Sequence, residues 1–551
     1  KFIDHTLSTA VLAVTDQPDG EAIARDVFGK RVAYVPYTIP GFALAKSVAD
    51  IFDKNPDVEG LVLLRHGIFT FADDAKTAYE RMIEFVTMAE QRLATDKKPL
   101  KQAALPKSLA PVADIAPILR GRLAIARDAM AGTVKRQILD FRTSPAILNY
   151  VNGTELWRYS QQGVVTPDHN IRTKNLPLIV PAPEAGKLDQ WTKDVETAVE
   201  KYIAAYHAYF ARNNARAEPK KKELDPLPRV VLVPGVGLFG VGGSAKDAAI
   251  AADIAENTVE VITDAEGVTS YQPISEADMF DVEYWSLEQA KLGKSAEKVL
   301  ARQVCVVTGG GSGIGAATAK AMAAEGAEVA VLDLDLDAAT KVAKSIGKTA
   351  LPVQCDVTNP ENVRRAFDKV VERFGGVDIL VSNAGAAWQG NIGAVDDETL
   401  RKSFELNFFA HQSVAQNAVR VMKAQGTYGC LLFNTSKQAV NPGKDFGPYG
   451  LPKAATLFLV KQYALDHGKD GIRANAVNAD RIRTGLLTDD MVAARAKARG
   501  VSESTYMSGN LLGREVYASE VAEAFVYLAH AEKTTAGVIT VDGGNIEASL
   551  R

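Results

Sequence analysis

The run Val304-Cys305-Val306-Val307-Thr308-Gly309-Gly310-Gly311-Ser312-Gly313-Ile314-Gly315 admits few folds. Its short apolar opening suits a strand buried in a parallel sheet, and the Ala-rich sequence after it suits a helix. The glycines between them allow a sharp turn and let an anion approach the helix N-terminus, where unpaired N–H groups and the positive end of the dipole collect. Gly309, Gly313 and Gly315 are the positions at which the turn, the approach of a pyrophosphate and helix packing exclude a side chain. A second apolar strand, Glu328-Val329-Ala330-Val331-Leu332, ends at Asp333. That acid lies about 20 residues beyond the glycines, where a carboxylate reaches the ribose hydroxyls of an adenine dinucleotide. The same charge repels a 2′-phosphate, so the pattern predicts NAD rather than NADP.

Glycine turns are common and most bind nothing, but this one is followed by a series. Asp356-Val357 comes after a strand, Ser382-Asn383-Ala384-Gly385 closes the strand Val377-Asp378-Ile379-Leu380-Val381, and Asn407, Ser436 and Tyr449 follow, with Lys453 four residues beyond the tyrosine. The alternation of strands and helices demands a parallel sheet covered on both faces, with ligands at the carboxyl ends of its strands. Tyr449 and Lys453 share one helix face, so the ammonium can approach the phenol. A phenol with a pKa near about 10 is a poor base at neutral pH unless a neighbouring cation favours the phenolate.

In order and spacing, these elements resemble the short-chain dehydrogenase/reductase family over about residues 300 to 551. The resemblance implies that Tyr449 is the acid/base, Lys453 lowers its pKa and anchors the cofactor ribose, Ser436 polarises the substrate oxygen, and Asn407 holds a proton-relay water. It also implies NAD contacts from Gly309, Ser312, Gly313, Ile314, Gly315, Asp333, Asp356, Val357, Asn383 and Gly385, besides Tyr449 and Lys453, with Thr484 reaching the nicotinamide amide. Two departures stand out. Asn475-Ala476-Val477-Asn478-Ala479-Asp480 occupies the place where the family commonly has Pro-Gly, before a substrate lid expected at about 481–514. Gly447-Pro448 directly precedes Tyr449 and stiffens the approach to it.

At the other end, Phe2-Ile3-Asp4-His5-Thr6 and Gly60-Leu61-Val62-Leu63-Leu64-Arg65-His66-Gly67 place histidines at strand ends, and helical spacing of apolar residues follows from about Ala75 to Arg92. Such histidines are either metal ligands or structural residues. Both stretches resemble the class II aldolase/adducin family. That resemblance implies zinc held by His5 and His66, but Leu7 stands at the second ligand position and leucine cannot coordinate. The metal site of this half therefore reads as impaired. The opening at Lys1, without methionine and as though in mid-strand, predicts further natural sequence before it.

A degenerate internal repeat is also visible. His66-Gly67-Ile68-Phe69 aligns with Val236-Gly237-Leu238-Phe239, and the match continues without gaps to Ala78 and Ala248. Valine thus stands where the first unit has its metal histidine. Asp168-His169 echoes Asp4-His5 only if the loops between differ in length, and reads more simply as a surface loop. Linkers at about 95–110 and 212–228 divide the chain into an aldolase-like region (1–105), a middle region (106–299) and the dehydrogenase region (300–551). The fold class is α/β throughout: a Rossmann-type doubly wound parallel sheet at the C-terminus, preceded by an N-terminally incomplete class II aldolase/adducin-like domain and a degenerate second aldolase-like unit.

A net charge of −4 with scattered basic residues argues against nucleic acid or an acidic membrane surface as partner. No run of about 18 uncharged apolar residues offers a membrane span. The three cysteines, all in the C-terminal half, read as buried hydrophobes in a reducing cytoplasm. Taken whole, the chain resembles bifunctional aldolase/short-chain dehydrogenase proteins of the rhamnulose-1-phosphate aldolase/lactaldehyde dehydrogenase type. This implies a sugar-derived small substrate and a homo-oligomer, a tetramer by analogy. Two other readings stand beside it: a polyol dehydrogenase with an aldolase-like scaffold, and an adducin-like interaction module in the N-terminal half.

Overall fold

A computed structural model describes residues 2–95, 97–128, 133–292, 296–485 and 487–545, with mixed α/β structure throughout. The chain forms two compact units, the first of residues 1–111, 140–242 and 247–295 and the second of residues 112–139, 243–246 and 296–551.

The first unit is built on two four-stranded sheets of matching order. One runs Phe2–Thr6, Gly67–Ala72, Gly60–Leu63, Val32–Val35, and the other Ile138–Arg142, Gly237–Gly242, Val230–Val233, Leu178–Ile179. In each, an antiparallel hairpin leads into a long helix, Ala75–Ala94 in one and Ala245–Val268 in the other. The first helix starts where Asp74 accepts the Thr77 N–H (2.9 Å), and buries Ala78, Met82, Phe85, Ala89 and Leu93 at helical spacing. Phe85 and Leu93 share one core with Ile147, Tyr150, Val259 and Ile262, so the two repeats bury their apolar faces together.

In this arrangement Asp168-His169 is no counterpart of Asp4-His5. His5 pairs with Phe69 across the sheet and packs on its ring at 4.3 Å. The corresponding contact in the second sheet is Phe141 on Phe239 at 5.2 Å, so Phe141 is the counterpart of His5. His169 is not a surface-loop residue either. It is half-buried, its Nδ1 is buried without a hydrogen-bond partner among the described residues, and burial pushes its pKa down to about 4.

The second unit is a seven-stranded parallel sheet in the spatial order Leu351–Gln354, Glu328–Asp333, Val304–Thr308, Ile379–Ser382, Gly429–Ser436, Ile472–Ala479, Val538–Val541. Order along the sheet reverses beside Val304–Thr308, which opens a crevice at the strand ends. The helices between strands follow local rules. Pro360–Phe374, for example, is capped by Asn359, starts on proline, ends at Gly375 with φ +85°, and turns Val363, Phe367, Val370 and Phe374 inward. Cys305, Cys355 and Cys430 are free and buried.

Residues 112–139 contribute a buried charge network to this unit. Arg120, 1% exposed, forks onto Asp378 at 3.0 and 2.7 Å and also donates to the carbonyls of Gln137 (2.6 Å) and Arg302 (3.0 Å). Asp378 further accepts the Val304 N–H (2.8 Å) and faces Arg136 at 3.1 Å. Burial pushes the Asp378 carboxyl up, but the two guanidinium groups outweigh it and hold its pKa below the usual value.

Candidate active site

The glycine turn has the geometry its sequence requires. Gly309 and Gly313 have φ of +59° and +51°, values that side chains resist. Gly309 closes the turn, its carbonyl held by Asn383 Nδ2 at 3.2 Å. Helix Gly313–Ala324 then starts at Ser312, an exposed N-cap whose side chain makes no capping bond. The first N–H groups of that helix are thus left to an anion. Gly315 is buried in the first turn, while Ile314 packs on the core beneath. Asp333, at the end of its strand, accepts the Gly311 N–H at 2.8 Å and the Asp335 N–H at 3.1 Å, which sets its carboxylate against the glycine loop.

Other cofactor candidates take separate places. Asp356 accepts from Thr358 N (2.9 Å) and Oγ1 (2.6 Å), and Val357 beside it is 8% exposed. Asn383 is a staple: its amide donates to the Thr308 and Gly309 carbonyls and its oxygen accepts from Asn434 Nδ2 at 2.8 Å. Thr484 lies at the glycine turn, since a Cβ on Gly313 would meet its methyl at 2.9 Å.

Asn407, Ser436, Tyr449 and Lys453 are all buried, at 0, 8, 7 and 3% exposure. Asn407 sits in a π-helical turn, Glu405–Phe409, of the kind that often marks functional positions. Its amide donates to Ala386 O (2.8 Å) and Ser403 Oγ (3.1 Å), and its Oδ1 is buried with no partner among the described residues. A Cβ on Gly385 would lie 2.9 Å from that oxygen and 3.4 Å from Lys453 Nζ, so this glycine leaves open the space where the two converge. Helix Gly447–His467, with Pro448 in its first turn, carries Tyr449 and Lys453.

Burial pushes the Tyr449 phenol up to about 12, against the lowering influence of a hydrogen bond with Ser436, and the charge of Asp480 raises it further. Lys453 does not reach the hydroxyl in this state. Its Nζ lies 5.8 Å from the ring centre, donates to Asn434 O at 3.0 Å and meets His411 Nε2 at 3.3 Å. Burial pushes its pKa down to about 7. His411 was not among the residues the sequence singled out. Its signal is faint: a lone polar residue four positions beyond Asn407, after an apolar Phe-Phe-Ala run.

In the first unit, His5 and His66 do come together, with ring centres 5.6 Å apart. The zinc expected there does not fit the donor set. Leu7 packs against the core, His66 Nε2 faces the Asp168 carboxylate at 3.6 Å, and Lys291 faces the same carboxylate at 3.8 Å. Among the described residues no group of three His, Cys, Asp or Glu side chains is placed to hold a metal ion.

Fold and site together define an oxidoreductase domain preceded by aldolase-type domains, and the chain belongs to the family in which class II aldolase domains precede a short-chain dehydrogenase/reductase. The family described as class II aldolase and adducin N-terminal domain matches residues 1–93, the aldolase class II second domain matches 110–292, and the family described as enoyl-(acyl carrier protein) reductase matches 309–545. The uncharacterized oxidoreductase YuxG of Bacillus subtilis (strain 168) is 32% identical over 565 residues, covering 99% of this chain and 81% of its own length. (+)-Borneol dehydrogenase 1 of Salvia officinalis is 32% identical over 254 residues, covering 45% of this chain and 96% of its own. A solved short-chain dehydrogenase/reductase from Mycobacterium marinum is 31% identical with a TM-score of 0.42, covering 45% of this chain and 96% of its own. No described helix is long and apolar enough to cross a membrane.

Proposed function

We propose that the chain is an NAD-dependent dehydrogenase that oxidises a small hydroxyaldehyde such as lactaldehyde, or a related alcohol. In this reading the aldolase-like half has lost the ligands of a working lyase. The observation that carries it is the convergence of Ser436, Tyr449, Lys453 and Asn407 at the strand ends beside a glycine turn guarded by Asp333.

The cradle fits the cofactor. The uncapped start of helix Gly313–Ala324 suits the pyrophosphate, Asp333 the ribose hydroxyls, and the space beside Gly385 the ribose that Lys453 would hold. NAD+, when bound, supplies an electron-pair acceptor for the substrate C–H and a positive charge beside Tyr449. Tyr449 takes the proton of the substrate hydroxyl, and Ser436 holds the oxygen. An aldehyde enters the same chemistry as its hydrate, which carries both the hydroxyl and the C–H. The free and buried cysteines favour a cytoplasmic setting.

The test is NADH absorbance with L-lactaldehyde and NAD+, run beside a panel of polyols and beside NADP+. The expected result is NADH from lactaldehyde, with NADP+ at least about tenfold poorer, the equivalent of about 1.4 kcal/mol of repulsion at Asp333. A rise with a polyol alone moves the substrate to the sugar alcohols, and faster reaction with NADP+ overturns the reading of Asp333.

We also read the chain as a homo-oligomer. On helix Gly447–His467 the residues Leu451, Phe458 and Leu465 recur every seventh position and are 48, 68 and 77% exposed, an apolar stripe that favours a second copy as its cover. Phe458→Asp should convert the assembled species to monomer in analytical ultracentrifugation; an unchanged sedimentation coefficient would exclude this face.

A further inference from the structure

We infer that His411 is a positioning residue for Lys453: its neutral imidazole accepts one ammonium N–H, and this fixes the direction of the N–H left for the cofactor ribose. The inference rests on the reading of Lys453 as the ribose anchor. His411 is 2% exposed on helix Ala410–Gln425, with Nε2 3.3 Å from Lys453 Nζ and Nδ1 2.6 Å from Ser382 Oγ.

In its charged form, the one that anchors a ribose by donation, Lys453 only donates, so the nitrogen that faces it must then carry the lone pair. Nε2 is then the acceptor, and Nδ1 carries the hydrogen, donated to Ser382 at the end of strand Ile379–Ser382. Lys453 thereby sets the tautomer, and the Ser382 hydroxyl, which can accept as well as donate, accommodates it. Burial first, and then the charge of Lys453, pushes the imidazole pKa well below its usual value, so the ring stays neutral and keeps that lone pair.

The ammonium has three N–H groups. Asn434 O takes one at 3.0 Å and His411 the second. The space Gly385 leaves open beside Nζ receives the third. With His411 removed, a buried ammonium loses one of its two protein acceptors, and both its orientation and its protonation suffer.

The test is NADH affinity by fluorescence titration, together with kcat and KM for the oxidation, in His411→Leu, His411→Gln and Lys453→Met, and in the double variant His411→Leu/Lys453→Met. Loss of a hydrogen bond to a charged group predicts a Kd for NADH raised about 10- to 100-fold in His411→Leu. Glutamine, whose oxygen can still accept, should come within about threefold of the unchanged chain. In the Lys453→Met background His411→Leu should have no further effect, since the residue acts through the lysine. Equal losses with and without Lys453, or a Leu variant that binds NADH like the unchanged chain, overturn the inference. An unchanged chain that binds no NADH overturns the dehydrogenase reading itself, and the role of His411 with it.

Discussion

Replacing Tyr449 by Phe should lower kcat by about 10²- to 10⁴-fold, the usual worth of a positioned acid/base, while NADH affinity stays within about twofold. The ring remains to fill the space, and only the hydroxyl that bonds with Ser436 is lost. The pH profile gives a second handle. In the cofactor-free chain burial pushes the phenol up to about 12, so at neutral pH it is almost wholly protonated. The positive charge of bound NAD+ must bring that value down for oxidation to proceed. The oxidation rate of the unchanged chain is therefore expected to rise from neutral into alkaline pH as phenolate accumulates, and the residual rate of Tyr449→Phe should lack that rise. Steady-state kinetics in both variants checks this. An unaltered kcat, or an identical pH dependence, would show that the proton leaves by another group.

The largest effect on stability is expected at Arg120. Changing it to Met leaves the Asp378 carboxylate, itself 1% exposed, with Arg136 as its remaining guanidinium partner, and breaking a buried pair from one side costs about 3–5 kcal/mol. Removing an exposed pair is a different matter. Arg25 and Glu21, 57 and 50% exposed in their side chains, lie one turn apart, and Arg25→Ala should cost less than about 1 kcal/mol. Calorimetric unfolding of the two variants side by side separates the cases. A fall of only a degree or two in Tm for Arg120→Met would mean that water or a rearranged Arg136 satisfies Asp378.

What could be read before the structure was local in sequence. The strand, glycine turn and helix from Val304 to Gly315 form one supersecondary unit whose requirements fall on consecutive residues, and Tyr449 and Lys453 share a helix, so their relation follows from helical geometry alone. The hairpin repeat was legible for the same reason, because Gly67 and Gly237 each hold a turn with φ above +140°. His411 was not legible. It works through Ser382 and Lys453, which come from a strand end before it and a helix after it, and no spacing rule joins the three. Phe141 as the counterpart of His5 escaped notice because the correspondence lies in strand position and ring contact rather than in residue type. The likeness of Asp168-His169 to Asp4-His5 was a match of two letters that carried no information about the sheet, and the simpler reading of His169 as a surface-loop residue missed its burial because no local pattern announces it.

The contribution of residues 112–139 to the dehydrogenase unit bears on how such a chain could be dismantled. A fragment started at residue 300 would contain every strand of the parallel sheet, the glycine turn and Tyr449, yet Asp378 would keep neither Arg120 nor Arg136. Its carboxylate would be left to take up a proton or admit water beneath the strand that leads to the cofactor loop. A chain cut at the apparent fusion point would therefore lose stability as the pH rises and Asp378 ionises, whereas one beginning before Val112 would carry its own counter-charges.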